Sequence, residues 1–222
     1  MRKLNFPGLN RVHPEGYRFV FGFGLVGLLF CGLGWSTLGI LLLLLALASA
    51  LFFRDPERFA PGREGIVVSP ADGRVLAVEE VEAPEECGMG DCLKVSIFMS
   101  ILDVHVNRSP VAGEIVGVHY RPGKFFSANL DKASEQNERN LIVLEDTAGR
   151  RLAFVQIAGL IARRIVCFVE PGSEVARGER CGLIRFGSRV ELFLPSESEI
   201  EVIPGRQVRA GETIIGYLPN DA

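Results

Sequence analysis

Arg185-Phe186-Gly187-Ser188-Arg189-Val190-Glu191-Leu192-Phe193-Leu194-Pro195 reads as a β-strand entered through a glycine–serine corner. Val190, Leu192 and Leu194 alternate with Glu191 and Phe193, and Pro195 ends the run because it has no N–H to give a ladder. On either side of this strand the same pattern appears. Pro171-Gly172-x-x-Val175-x-x-Gly178-Glu179 recurs as Pro204-Gly205-x-x-Val208-x-x-Gly211-Glu212. Each copy reads as a turn, a short strand, then a Gly-Glu turn into a further strand, at residues 181–186 and 213–218. The corner at Gly187-Ser188 falls between the two copies.

Upstream the pattern continues as short strands, at residues 66–68, 74–81, 93–99, 114–119, 140–145, 151–157 and 165–169. Turn signals recur at Asp72-Gly73, Ala112-Gly113, Pro122-Gly123, Ala148-Gly149 and Pro171-Gly172. Such spacing predicts a mainly β domain, a sandwich or barrel-sandwich, over residues 66–222. The repeated unit resembles the hammerhead of biotinyl and lipoyl carrier domains. Only residues 129–138 could form a turn or two of helix.

The N-terminal quarter is different. Residues 1–18 form a basic tail, with Arg2, Lys3, Arg11 and Arg18 against Glu15, and residues 19–53 contain no charge at all. One helix of that length would be about 50 Å long, against a hydrocarbon core of about 30 Å. Gly32-Leu33-Gly34-Trp35-Ser36 breaks the run into two arms, residues 19–31 and 37–53. The first is short for a span and the second nearly long enough. The reading is a membrane-embedded helical hairpin, with the basic tail placing both ends on the cytoplasmic side of the cell membrane. A cleaved signal peptide fits less well, since the apolar run is more than twice the usual length and lacks a small-residue cleavage site. Residues 54–65 are the linker.

Composition excludes some classes. With 24 Lys and Arg against 27 Asp and Glu, the net charge of −3 gives no basic face for nucleic acid. The five cysteines (31, 87, 92, 167, 181) are odd in number, and Cys87 and Cys92 fit neither a thioredoxin pair nor a zinc site. Free thiols, and no metal, are the expectation.

Two readings of Gly187-Ser188 stand side by side. It is an ordinary turn dipeptide, or it is a scissile bond. A glycine leaves its carbonyl open to close approach, and a hydroxyl directly after it can attack once a base takes the proton. The resulting ester can open by β-elimination to leave a dehydroalanine and then a pyruvoyl group. Three histidines could supply the base. His13 precedes the apolar run, and His119 ends a strand beside Tyr120. His105 is flanked by Val104 and Val106, so alternation would set Asp103, His105 and Asn107 on one polar face. Asp72 opens an Asp-Gly turn and needs no further role on its own pattern.

Four separated motifs bear on the choice. Ser69-Pro70-Ala71-Asp72-Gly73 comes first, and Phe98-Met99-Ser100 with Asp103-Val104-His105-Val106-Asn107-Arg108 second. Phe125-Phe126-Ser127-Ala128-Asn129 through Asn137-Glu138-Arg139-Asn140 precedes Phe186-Gly187-Ser188. In this order, across residues 54–218, they closely resemble the phosphatidylserine decarboxylases, in particular the short prokaryotic, archaeal-type branch.

The resemblance implies a pyruvoyl-dependent carboxy-lyase that turns phosphatidylserine into phosphatidylethanolamine at the membrane. It implies self-cleavage between Gly187 and Ser188, with a pyruvoyl cofactor derived from Ser188 that condenses with the substrate amine. The large and small fragments would stay associated, and the protein could form a homo-oligomer. Asp72 is then expected to orient His105, and His105 to deprotonate Ser188 and later to protonate the product carbanion. Arg189, Arg108, Lys124 and His119 are candidates for the substrate's carboxylate and phosphodiester. The sequence departs from the long-branch pattern in carrying one histidine and then Arg108, where two histidines three residues apart are usual. It also has Phe186 for Leu and Arg189 for Thr.

Three rivals remain open at this point: the same chemistry on a related serine lipid such as archaetidylserine, a non-enzymatic membrane adaptor built on the carrier-like unit, and a lipoyl-type lysine at Asp131-Lys132-Ala133. The polar run that follows Lys132 argues against the last.

Overall fold

A computed structural model describes residues 12–126, 136–159, 164–185 and 187–219. The chain divides into two compact units, Met1–Glu57 and Arg58–Ala222.

The first unit is a helix pair, α1 (Pro14–Gly32) and α2 (Ser36–Phe52). Pro14 supplies a preset φ at the first helical position, and His13 Nδ1 accepts from the Glu15 amide at 3.3 Å. Gly34, at φ +86, makes the reversal between the arms. The helices approach closely where side chains are smallest: a Cβ on Gly27 would lie 3.0 Å from the Gly39 carbonyl oxygen. Outward they present Leu25, Leu29, Leu44 and Leu47, all more than half exposed.

One difference from the sequence reading concerns the first arm, which begins at Pro14 rather than residue 19. Glu15 and Arg18 had marked the polar tail, yet they form a 3.2 Å ion pair on the first helical turns. Glu15 there also suits the positive end of the helix. The arm read as short is thus 19 residues, long and apolar enough to cross a membrane, whereas α2 has 17.

The second unit is β throughout. Its strands are β1 (Ile66–Val68), β2 (Gly73–Glu82), β3 (Asp91–Met99), β4 (Val106–Arg108), β5 (Gly113–Arg121), β6 (Arg139–Asp146), β7 (Arg151–Ala158), β8 (Ile165–Cys167), β9 (Glu174–Val175), β10 (Arg180–Ile184), β11 (Ser188–Pro195), β12 (Glu199–Ile200), β13 (Gln207–Val208) and β14 (Ile214–Tyr217). Eight of them form one curled antiparallel sheet in the order β13-β2-β3-β11-β7-β6-β5-β9. Two three-stranded sheets, β1-β14-β12 and β4-β10-β8, complete the unit.

Alternation along β11 sorts its residues to two faces. Val190, Leu192 and Leu194 enter the main core with Val75, Val95, Ile97, Leu152, Phe154 and Ile215. Phe193 faces the other way, into a smaller cluster with Cys87, Cys92, Leu141 and Val155 under the 3₁₀ turn Glu85–Cys87. Both faces of the strand are therefore covered. Its ladder runs from Ser188 opposite Met99 and Ala158 to Leu194 opposite Leu93.

The internal repeat is a repeat of backbone as well as of sequence. Gly172 and Gly205 have φ +87 and +93, and Gly178 and Gly211 have +78 and +75. The equivalent strands β9 and β13 close opposite edges of the large sheet, β9 on β5 and β13 on β2.

Burial sets the thiol chemistry. Desolvation pushes Cys87 and Cys181 up to about 12, with Cys92 and Cys167 respectively as the nearest charge contributions. Both thiols should therefore resist iodoacetamide at pH 8 in the folded protein and react only after denaturation, as peptide mass mapping would show. Since folding raises both values above the ordinary 9.0, the fold favours the protonated form. Stability should fall as pH rises from about 9 toward 12.

Candidate active site

One end of the large sheet collects the residues in question. There β3 ends at Met99, β11 begins at Ser188, β7 ends at Ala158, β6 begins at Arg139 and β5 ends at Arg121. Gly187 stands just outside the strand at φ +64. That conformation is costly for a residue with a Cβ, so glycine lets the chain turn sharply into β11 at the bond before Ser188.

His105 is fully buried beside this corner. Its Nε2 lies 3.3 Å from the Gly187 amide nitrogen, and its Nδ1 lies 3.0 Å from the Asp103 carbonyl oxygen. A carbonyl can only accept, so Nδ1 carries the proton and Nε2 accepts from the Gly187 N–H at the glycine–serine corner. That is the tautomer a general base requires. Ser188 is also fully buried, and its hydroxyl meets the Met99 thioether 3.2 Å away. Sulfur is a weak acceptor, which leaves the hydroxyl lightly held.

A chain of buried amides backs this pair. Asn140 Nδ2 donates to Gln156 Oε1 at 3.0 Å, and Gln156 Nε2 donates to Asn107 Oδ1 at 2.9 Å. Asn107 Nδ2 in turn faces Met99 Sδ at 3.7 Å. All three amides are 2% exposed or less. The sequence reading set Asn107 on a polar face and quoted Asn140 in the third motif, but passed over Gln156. The signal for Gln156 was a lone amide inside the apolar run Leu152-Ala153-Phe154-Val155-Gln156-Ile157. Gln156→Leu strips partners from Asn107 and Asn140 in a dry interior. Thermal unfolding should show a loss of about 2 kcal/mol.

The other expected site residues lie as follows. Asp72 Oδ2 accepts from Arg58 at 2.8 Å and Oδ1 from the Ala210 amide at 2.8 Å. Both of its carboxylate oxygens are thus engaged, by Arg58 and by the Ala210 amide, while His105 Nδ1 faces the Asp103 carbonyl. Arg189 points to the sheet face opposite Ser188 and is 4% exposed; it donates to Ser96 Oγ at 2.8 Å and pairs with Glu191 at 3.0 Å. Arg108 is 3% exposed and donates to the Gly178 carbonyl at 2.8 Å, holding the first repeat copy. Both guanidiniums are buried, Arg189 on the sheet face opposite Ser188 and Arg108 against the first repeat copy.

His119 is exposed and lines a cavity of about 90 Å³ on the reverse face with Glu86, Arg121, Glu191 and Phe193. It is not part of the Ser188 cluster. Lys124 is exposed at the same end of the sheet as Ser188, its ammonium 5.7 Å from the Phe126 ring. Phe186, residues 127–135 of the third motif, the short helix expected at 129–138 over most of its length, and Lys132 lie outside the described residues.

A curled β-sheet with a glycine–serine corner and an oriented imidazole at one end has the make-up of a self-processing enzyme. The family model described as phosphatidylserine decarboxylase matches residues 45–216. Curated proteins named phosphatidylserine decarboxylase proenzyme are similar over nearly the whole chain. That of Ruegeria pomeroyi is 50% identical over 218 residues, 97% of this chain and 99% of its own. That of Nitrobacter winogradskyi is 50% identical over 209 residues, covering 93% and 84% respectively. That of Rickettsia akari is 48% identical over 206 residues, covering 92% and 89%. The chain belongs to the phosphatidylserine decarboxylase family, a family of carboxy-lyases made as proenzymes.

Proposed function

We propose that this protein cleaves itself between Gly187 and Ser188 and then decarboxylates phosphatidylserine to phosphatidylethanolamine with a pyruvoyl group at residue 188. The observation that carries the proposal is the His105 imidazole, with its basic nitrogen 3.3 Å from the Gly187 amide and Ser188 next in the chain.

His105 Nε2 takes the Ser188 proton as Oγ attacks the Gly187 carbonyl carbon. The C–N bond breaks and an ester forms. Loss of the Ser188 α-proton then expels the Gly187 carboxylate and leaves a dehydroalanine, which tautomerises and is hydrolysed to the ketone with release of ammonia. The residues present suit such a group, because Ser188 is buried at a strand terminus and lightly held. A ketone conjugated to an amide supplies the electron sink for loss of CO₂.

The remaining tasks fall to the chain itself. His105, buried and held by Asp103, returns a proton to the decarboxylated carbon. Lys124 meets the phosphodiester or carboxylate of the substrate, a role supported by its exposure at the Ser188 end of the sheet. The helix pair keeps the protein at the cell membrane, with the catalytic unit on the cytoplasmic side. The fragments 1–187 and 188–222 stay together because β11 is hydrogen-bonded on both sides.

Asp72 is assigned the role of favouring the imidazolium that His105 becomes, a role for a carboxylate near this end of the sheet. Asp72→Asn keeps the acceptor for the Ala210 amide but removes the charge. Cleavage should slow markedly, and the unfolding temperature should fall as well because Arg58 loses its buried counter-charge; an unchanged cleavage rate would leave Asp72 as a structural partner of Arg58 alone.

The central test is direct. Intact mass of purified protein should show two polypeptides, the smaller refractory to N-terminal sequencing. Carboxyl-labelled phosphatidylserine added in detergent should release labelled CO₂. Active protein consisting solely of uncut chain would overturn the proposal.

A further inference from the structure

Two loops leave the sheet at the Ser188 end, and both carry large apolar side chains outward. The loop after β3 presents Ile101 and Leu102, which are 57% and 77% exposed. Its conformation is fixed from beneath, since the Asp103 carboxylate accepts from the Ser100 amide at 2.8 Å and the Ser100 hydroxyl at 2.7 Å. The loop after β5 presents Phe125 and Phe126, each over a third exposed. It too is anchored. Asn137 exchanges two 2.8 Å hydrogen bonds with the Phe126 backbone and donates to the Ala158 carbonyl at 2.7 Å. Ala158 is the register partner of Ser188.

Cations accompany these side chains. Lys124 adjoins Phe125, and Arg164 is exposed with its carbonyl bonded to the amide of Arg185, two residues before Gly187. Of the nearby carboxylates, Asp103 is engaged beneath its loop, and Glu138 is 8% exposed and accepts from the Ile165 amide at 3.3 Å. Apolar side chains among cations, on segments anchored by hydrogen bonds, have the composition of a surface that enters a lipid interface. Solvent-facing loops have no need of Ile-Leu at the tip of a capped turn.

We propose that the loop tip Ile101-Leu102, with Phe125, Phe126 and the flanking cations, inserts into the interface of an anionic bilayer. The catalytic unit then has a lipid contact of its own, separate from the helix pair, and Ser188 faces the headgroup layer. This rests on reading the substrate as a membrane lipid. Lipid contact can be detected without turnover, so the two can fail separately.

The chain has a single tryptophan, Trp35. In a Trp35→Phe, Ser188→Ala background, Leu102→Trp places the sole indole at the loop tip, and Glu80→Trp places it on an exposed part of β2 far along the strand as a control. The full chain is reconstituted into nanodiscs containing phosphatidylglycerol and lipids brominated on the acyl chains. For L102W a blue-shifted emission quenched by bromolipid is expected, with E80W emitting as in water and unquenched. Three results would overturn the proposal: no shift and no quenching for L102W, a shift without quenching (a protein surface covers the loop), or equal quenching of both variants. In the otherwise native chain, Ile101→Ser with Leu102→Ser should lower turnover of vesicle phosphatidylserine by about tenfold or more. Self-cleavage and turnover of a short-chain, monomeric phosphatidylserine should be unchanged; an equal loss on both substrates would count against the loop.

Discussion

Ser188→Ala should give one uncut polypeptide of 222 residues with no measurable decarboxylation. The change removes a single oxygen, and the fold has little reason to notice. The Ser188 hydroxyl meets the Met99 sulfur, a weak acceptor, and alanine tolerates the extended backbone of β11. Unfolding temperature should therefore stay near the parent value. Chemistry is lost twice over, since the same oxygen is the nucleophile of cleavage and cleavage creates the ketone. Intact mass and labelled CO₂ release, measured on one preparation, check both halves. An S188A chain that still decarboxylates would place the electron sink elsewhere.

His105→Gln has the second-largest expected effect. Glutamine keeps polarity at a fully buried position but cannot accept and return a proton near neutral pH. Cleavage should slow by about 10²–10⁴-fold, the usual contribution of a positioned general base. The consequence for turnover is total as long as no ketone forms. A slow residual maturation would be informative, because the small population of cut H105Q molecules reports on the second role. Cut molecules that decarboxylate at the parental rate would confine His105 to processing.

Much of this architecture was legible in the chain because it depends on local pattern. Apart from β4, the strands from Ile66 to Leu194 were found to within about two residues, since alternation and Gly turns mark both faces and ends. The apolar helix pair declared itself by its lack of charge. What failed was non-local or masked by charge. Helix α1 starts earlier than read because Glu15 and Arg18 neutralise each other along one face. Strand β4 was hidden by its three residues, Val106-Asn107-Arg108, all buried although two are polar.

The site divides in the same way. Residue type and order singled out Gly187-Ser188 and His105, which the fold brings within 3.3 Å of each other. The contact between His105 Nδ1 and the Asp103 carbonyl was not legible, because a backbone carbonyl leaves no mark in sequence. Arg108 and Arg189 looked like surface cations for a phosphate, yet each is buried against a specific acceptor. For Arg189 the warning was present in principle: neighbours on a strand point to opposite faces, so its side chain leaves β11 on the face opposite Ser188.

The position of β11 in the middle of the sheet has a consequence for quality control. Met99 and Ala158 reach Ser188 only after β3 and β7 have closed on that strand in register. On the proposed chemistry, a chain that stalls before closure would keep an unreactive serine, and misassembled copies would not acquire a carbonyl able to trap stray cellular amines. Activation is thereby reserved for molecules that have already passed inspection by their own folding, and being irreversible, it is granted once.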